Sequence, residues 1–236
     1  MTRKKTWMWW SSGKDSAWAL QSLRSGAEYD VCALVTTVNA SADRVAMHAV
    51  RTELLRAQAE ALGIPLRLVA IPYPCPNGAY EAAAASLIQT AEREGVSHMA
   101  FGDLFLEDVR AYRETLLASS TIEPVFPLWG ADTRELAMSM IEGGISAHLT
   151  CVDPRALDPT FVGRPYDKDL LSDLPESVDP CGERGEFHTF VSCAPGFSRA
   201  LRIKAGEVVE RDGFVFADIL SAEHDTGKGR AESSSG

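Results

Sequence analysis

Apolar residues along the chain gather in short unbroken runs at residues 6–10, 31–38, 66–71, 96–102, 124–128 and 145–152. Runs of this length, without polar alternation, predict strands buried on both faces. Between them the spacing changes. Val50, Leu54, Ala57 and Ala61 recur at i, i+4, i+7 and i+11, with Arg51, Arg56 and Glu60 off that stripe, so a helix is expected there. Gly63 and Pro65 stop it. Residues 82–91 and 133–141 read as helices too, ended by Gly95 and by Gly143 with Gly144. Strand–helix alternation of this kind predicts an α/β fold, a parallel sheet covered by helices on both faces, with ligands at the carboxyl ends of its strands.

The pattern changes after Asp153, where prolines at 154, 159, 165, 175, 180 and 195 interrupt the chain. Segments 198–204 and 207–210 flank Ala205 and Gly206 as a hairpin would, and a further strand is expected over 213–219. The expected organisation is a sheet domain at 1–152, a smaller α+β unit at 153–222, and a disordered tail at 223–236, rich in Gly, Ser and charge.

Composition narrows the function classes. The 236 residues are 45% hydrophobic and 24% charged, enough for a substantial core. A formal charge of −10 argues against a protein that coats a nucleic-acid backbone, while leaving room for a basic pocket around one nucleotide. No apolar stretch approaches membrane-spanning length, so no membrane partner is expected. Five scattered cysteines without a Cys-x-x-Cys pair suit a reduced, cytoplasmic setting. The sequence leaves self-association open.

Candidate chemistry begins at residues 11–16, Ser-Ser-Gly-Lys-Asp-Ser, between the first apolar run and a helical pattern at Ala17, Leu20 and Leu23. A strand turning directly into a helix aims free N–H groups and the positive end of the helix dipole at one spot. Ser11, Ser12 and Ser16 add hydroxyls, Gly13 permits close backbone approach and Lys14 adds charge, which together predict a phosphate site. The alternative is an ordinary Ser- or Asp-capped helix. The common phosphate loop is excluded, because Met8 and Asp15 stand where it needs Gly and Ser or Thr.

Three further segments carry candidates. Asp103, after Gly102 at a predicted strand end, can hold magnesium on a triphosphate, position a substrate amine, or simply cap the next helix. In that helix, residues 107–117, Val109, Tyr112 and Leu116 are expected to be buried, leaving Arg110 and Arg113 to clamp an anion, or Arg110 to pair with Glu114. Finally, residues 179–190 bring Glu183, Glu186 and His188 together. An extended stretch there would put Glu186 and His188 on one face, suited to proton handling for an incoming amine. Zinc at Cys181, His188 and Cys193 matches no common spacing.

With these segments in this order, and above all Cys-Gly-Glu-Arg-Gly-Glu-Phe-His-Thr-Phe at 181–190, the chain resembles the diphthine–ammonia ligase-like family of the ATP pyrophosphatase (PP-loop, adenine nucleotide alpha hydrolase-like) superfamily. Between Gly102 and Glu114 it is similar to the bacterial branch. The resemblance implies cleavage of ATP to AMP and pyrophosphate, attack of a small or protein-borne carboxylate on the α-phosphate, and displacement of AMP by ammonia to leave an amide. Residues Ser11, Ser12, Gly13, Lys14, Asp15 and Ser16 would then hold ATP, with Asp15 and Asp103 carrying Mg2+. Asp103, Glu183, Glu186 and His188 would be catalytic, and Arg110 and Arg113 would bind the acceptor. Bacteria lack diphthamide, so in that branch the acceptor would be a different one. Ser12 and Arg184 stand where relatives usually carry Gly, or Gly or Asn, and each would be strained if its φ were positive. Two other readings remain: a nucleotide-binding regulatory module, and a tRNA-thiolating relative, which the missing Cys-x-x-Cys and the acidic balance disfavour.

Overall fold

The computed structural model describes residues 2–39, 44–45, 50–72 and 74–222. The expected disordered tail lies outside the described residues. Elements follow in chain order as β1 (Lys4–Trp9), α1 (Lys14–Ser25), β2 (Tyr29–Asn39), β3 (Arg44–Val45), α2 (Thr52–Leu62), β4 (Leu66–Ile71), α3 (Asn77–Arg93), β5 (His98–Ala100), α4 (Glu107–Leu117), β6 (Glu123–Val125), α5 (Thr133–Glu142), β7 (Ser146–Val152), α6 (Lys168–Asp173), β8 (Phe187–Cys193), β9 (Ile203–Arg211) and β10 (Phe214–Ser221).

Parallel pairing orders the first sheet β4-β2-β1-β5-β6, with the short β3 antiparallel against the end of β2. This is the expected α/β architecture, and β1 lies at its centre. Trp7 and Met8 are fully buried there, pointing to opposite faces and joining different core clusters. Helix α1 covers one face through Ala17, Leu20 and Leu23. Gly63 ends α2 in the left-handed region at φ 64°, its N–H returning to the last turn as a C-cap requires.

The second sheet is antiparallel, ordered β8-β7-β10-β9, and its first strand is a correction. Residues 145–152 were expected to continue the parallel sheet; β7 instead pairs with β8 and β10. The expected boundary at 152 and 153 therefore falls at the end of β7, not between the sheets. A wholly apolar run records burial on both faces but not the direction of its neighbours. A second correction concerns the hairpin. Ala205 and Gly206 lie inside β9, and the turn is Asp212-Gly213, both at positive φ (53° and 81°), with Arg211 opposite Phe214. That is the two-residue hairpin loop that an Asp-Gly dipeptide favours.

Helix α4 matches its expected span but is rolled. Leu117 is its buried residue, Val109 and Leu116 are half-buried, and Tyr112 is 41% exposed, tilted against Tyr80. The roll turns Val109 and Arg113, one turn apart, toward the cleft described below.

The α1–α5 contact yields a stability prediction. A Cβ on Gly143 would lie 2.3 Å from the ring of Trp18. Gly143→Ala should lower the urea unfolding free energy by about 1–3 kcal/mol, the scale of overpacking, and an unchanged midpoint would contradict this packing.

Candidate active site

From β1 the chain adds β2 and β4 on one side, then β5 and β6 on the other. Loops leaving the carboxyl ends of β1 and β5 therefore diverge and open a crevice, as the strand-order switch in such sheets does. Here it is a cleft of about 260 Å³. One wall holds Ser11, Lys14, Asp15 and Ser16, a second Gly102, Asp103 and Arg113, and a third Cys181, Glu183, His188 and Thr189 from the segment entering β8.

The first wall has the phosphate-seat geometry. Ser12 takes φ 72°, so the strain expected of a Ser in a Gly-like position is present. Helix α1 begins after Gly13 with no side-chain cap, which removes the plain capped-helix alternative. Ser11 and Ser16 hydroxyls lie 3.1 Å apart, and Ser16 Oγ donates to the Gly13 carbonyl at 2.9 Å. Both glycines are there because the backbones touch. A Cβ on Gly102 would sit 3.0 Å from the Ser16 nitrogen, and one on Gly13 would sit 3.1 Å from the Thr189 carbonyl.

Lys14, expected to add charge to the phosphate site, lines the cleft with its charge already paired. It is 2% exposed, its ammonium held 2.9 Å from both oxygens of Asp15 and donating also to the Cys181 carbonyl. The rings of Tyr166 and Phe187 lie 5.4 and 5.5 Å away. Burial opposes this charge, but Asp15, with help from Cys181 and Glu183, more than offsets it, leaving the Lys14 pKa above its ordinary value. Lys14 thus sits at the floor of the cleft and ties the corner to residues 179–187.

On the second wall, Asp103 accepts from Arg113 Nε at 3.4 Å, and Leu106, not Asp103, takes the cap position of α4. The Arg113 guanidinium lies 5.3 Å from the Phe101 ring and 5.8 Å from that of Trp9. Burial lifts the Asp103 pKa, against the pull of Arg113. Arg110 is corrected. It stands outside the cleft, pairs with Glu114 at 2.8 Å, and lies over Phe126 and Trp129. Its neighbour across the α4 roll, Arg113, takes the inward position.

Residues 179–190 divide in the same way. Glu183 lines the cleft, accepts the Leu104 N–H at 2.7 Å, and is pushed up to about 7, chiefly by burial and further by Asp15 and Asp103. His188 also lines it, and burial, aided by Lys14, pushes its pKa down to about 4, so the ring is neutral near pH 7. Glu186 is corrected. It is 5% exposed, outside the cleft, and accepts the N–H groups of Asp179 at 3.0 Å and Arg184 at 2.9 Å. Since β8 begins only at Phe187, the extended register expected to pair Glu186 with His188 does not reach it. Glu186 braces the turn that carries Glu183. Positive φ falls on Gly182 and Gly185, and Arg184 is free of that strain. Among the described residues no group of three His, Cys, Asp or Glu is arranged to hold a metal, and all five cysteines are free thiols.

Comparison with known proteins adds an independent observation. Residues 4–122 match the family model of the diphthamide synthase N-terminal domain, and residues 132–222 that of the C-terminal domain. The chain belongs to the diphthamide synthase family. Among its relatives, the diphthine–ammonia ligase of Bos taurus is 29% identical over 133 residues, covering 54% of this chain and 50% of the relative. The Homo sapiens protein of the same name is 28% identical with the same coverage, so the chain spans about half the length of both. The Danio rerio one is 27% identical over 231 residues, 89% of this chain and 90% of the relative.

In this diphthamide synthase fold three contributors escaped sequence reasoning. Thr189 Oγ1 accepts the Lys14 N–H at 3.1 Å, Tyr166 packs over the Lys14 ammonium, and Gln58 binds the loop from beneath. Thr189 had a signal, since it continues the 181–190 marker; Gln58 and Tyr166 had none.

A pH prediction follows from Glu183. Its folded pKa lies above the ordinary 4.5, so its contribution to stability is full below pH 4.5 and is lost as pH rises through about 7. Glu183→Gln should flatten that part of the decline in urea midpoint between pH 4.5 and about 7. A decline of unchanged slope would show that Glu183 ionises normally.

Proposed function

We propose that the protein is an ATP-dependent carbon–nitrogen ligase that adenylates a carboxylate and converts it to an amide with ammonia. One observation carries the reading: the β1–α1 corner, suited to phosphate, shares a single cleft with Arg113, Asp103, Glu183 and His188. A nucleotide laid on the corner would place its α-phosphorus within reach of a carboxylate held by Arg113. In the first step a carboxylate oxygen bonds to that phosphorus and pyrophosphate leaves. In the second, ammonia attacks the acyl carbon and AMP departs with the original carboxylate oxygen.

The side chains suit these steps. The Ser11 and Ser16 hydroxyls and the N–H groups of the corner other than that of Lys14 stabilise the departing pyrophosphate charge in place, without reorganisation. The attacking ammonia must lose a proton, and Glu183 near pKa 7 or the neutral His188 can receive it. Asp15 and Asp103 line opposite walls but are paired with Lys14 and Arg113. Mg2+ accordingly fits as an ion that arrives on the phosphates, which complete its shell, and it would supply charge neutralisation there. The acceptor is a small or protein-borne carboxylate. Five scattered cysteines, all free thiols, suit a cytoplasmic setting, and among the described residues no helix is long and apolar enough to cross a membrane.

The test is pyrophosphate release from ATP with a panel of carboxylates plus ammonium, using acceptors labelled with heavy oxygen. Label is expected in AMP. ATP binding without pyrophosphate release would favour the regulatory-module reading. Asp15→Ala should reduce turnover at least about 100-fold, as loss of a charge-positioning group does, with circular dichroism unchanged; full activity would contradict the assignment of this corner.

A further inference from the structure

Helix α2 lies behind the phosphate corner and sends one polar side chain through the core to it. Gln58 is fully buried. Its Oε1 accepts from Trp10 Nε1 at 2.8 Å, and its Nε2 donates to the Ser12 carbonyl at 3.1 Å and the Val191 carbonyl at 2.7 Å. Indole N–H can only donate and carbonyls can only accept, so the network fixes which end of the amide is which. The Ser12 carbonyl takes a second bond, from the Val191 N–H at 3.0 Å. Both its lone pairs are used.

That carbonyl belongs to the peptide joining Ser12 to Gly13. In a trans peptide the N–H points opposite to the C=O. With the Ser12 carbonyl drawn inward to Gln58 and Val191, the Gly13 N–H must face the other way. It does so toward Ser11 Oγ, at a long 3.3 Å, and Ser11 lines the cleft. The strained φ of 72° at Ser12 accompanies this orientation. A flipped peptide would present a carbonyl oxygen to an anion instead of a donor.

We infer that Gln58 is a positioning residue, holding the Ser12–Gly13 peptide so that the Gly13 N–H is presented to the phosphate chain and the carbonyl is kept from it. Trp10 is its partner, orienting the Gln58 amide so that both donors face carbonyls. Neither residue touches the cleft, and the effect passes through one peptide plane. This assignment rests on the reading of the corner as a phosphate seat.

The probe is inorganic pyrophosphate, titrated calorimetrically into wild type, Gln58→Met and Trp10→Phe, with urea midpoints measured alongside. Gln58→Met keeps the length and removes both donors. It should weaken pyrophosphate binding at least about tenfold, the scale of one hydrogen bond to a charged group. Trp10→Phe keeps the donors but frees the amide to turn, and should fall between the two. A merely structural Gln58 would lower the midpoint and leave the affinity of the folded protein unchanged, which would overturn the inference. Should Gln58→Met fail to fold, wild-type affinity in Trp10→Phe would overturn it equally. Wild type that does not bind pyrophosphate would sink the phosphate-seat reading itself, and this assignment with it.

Discussion

The joint between the first strand-to-helix corner and β8 is the constraint on which the rest depends. Thr189 accepts the first N–H of α1, the Val191 N–H reaches the Ser12 carbonyl, and the Lys14 ammonium is held by a carbonyl from the turn before β8. Each bond is buried, where an unmade partner costs about 1–3 kcal/mol. The two sheets thus share one polar seam, and that seam is the floor of the cleft. Moving either sheet would strand several buried donors at once. The loop geometry at Ser12 is therefore set by both halves of the chain together, although Ser12 belongs to the first.

Burying Lys14 with Asp15 follows the same logic. An ion pair removed from water gains little net stability, because desolvation offsets the attraction. Its value lies in fixing a geometry. The ammonium joins α1, Cys181, Tyr166 and Phe187, elements far apart in sequence. Around this fixed charge stand Asp15, Asp103 and Glu183, and their mutual repulsion in a partly dry cleft helps to raise Glu183 toward neutrality. One carboxyl is thereby poised to exchange protons near pH 7 while Arg113 remains a cation for anionic groups. A site that must bring together phosphate, carboxylate and ammonia needs such mixed charge.

Much of this was legible in the sequence. The strand at 66–71 and the helices at 107–117 and 133–141 follow from apolar periodicity and glycine stops, because local burial decides them, whereas of the run at 124–128 only the start is strand, in Glu123–Val125. The corner at 11–16 was legible because strand, small residues and helix adjoin in the chain. Tertiary choices were not. An apolar run could not say that β7 faces antiparallel partners. The roll of α4, which keeps Arg113 at the cleft and leaves Arg110 outside it, depends on how that helix seats against α3 and the sheet. The i, i+2 rule failed at Glu186 because extended structure starts one residue later. Gln58 was passed over, since a lone glutamine one turn from Leu54 on the buried face of α2 does not name its partners until the seam it serves is known.

The central claim is that the backbone of residues 12–16 grips the phosphates of a nucleotide in the cleft shared with β8. The most direct measurement is amide nuclear magnetic resonance during titration with a non-hydrolysable ATP analogue. The account predicts that the largest shifts fall on Gly13 and Ser16 and extend to Thr189 and Gly102. Saturable binding that leaves these amides unmoved, with shifts gathered elsewhere on the molecule, would contradict it.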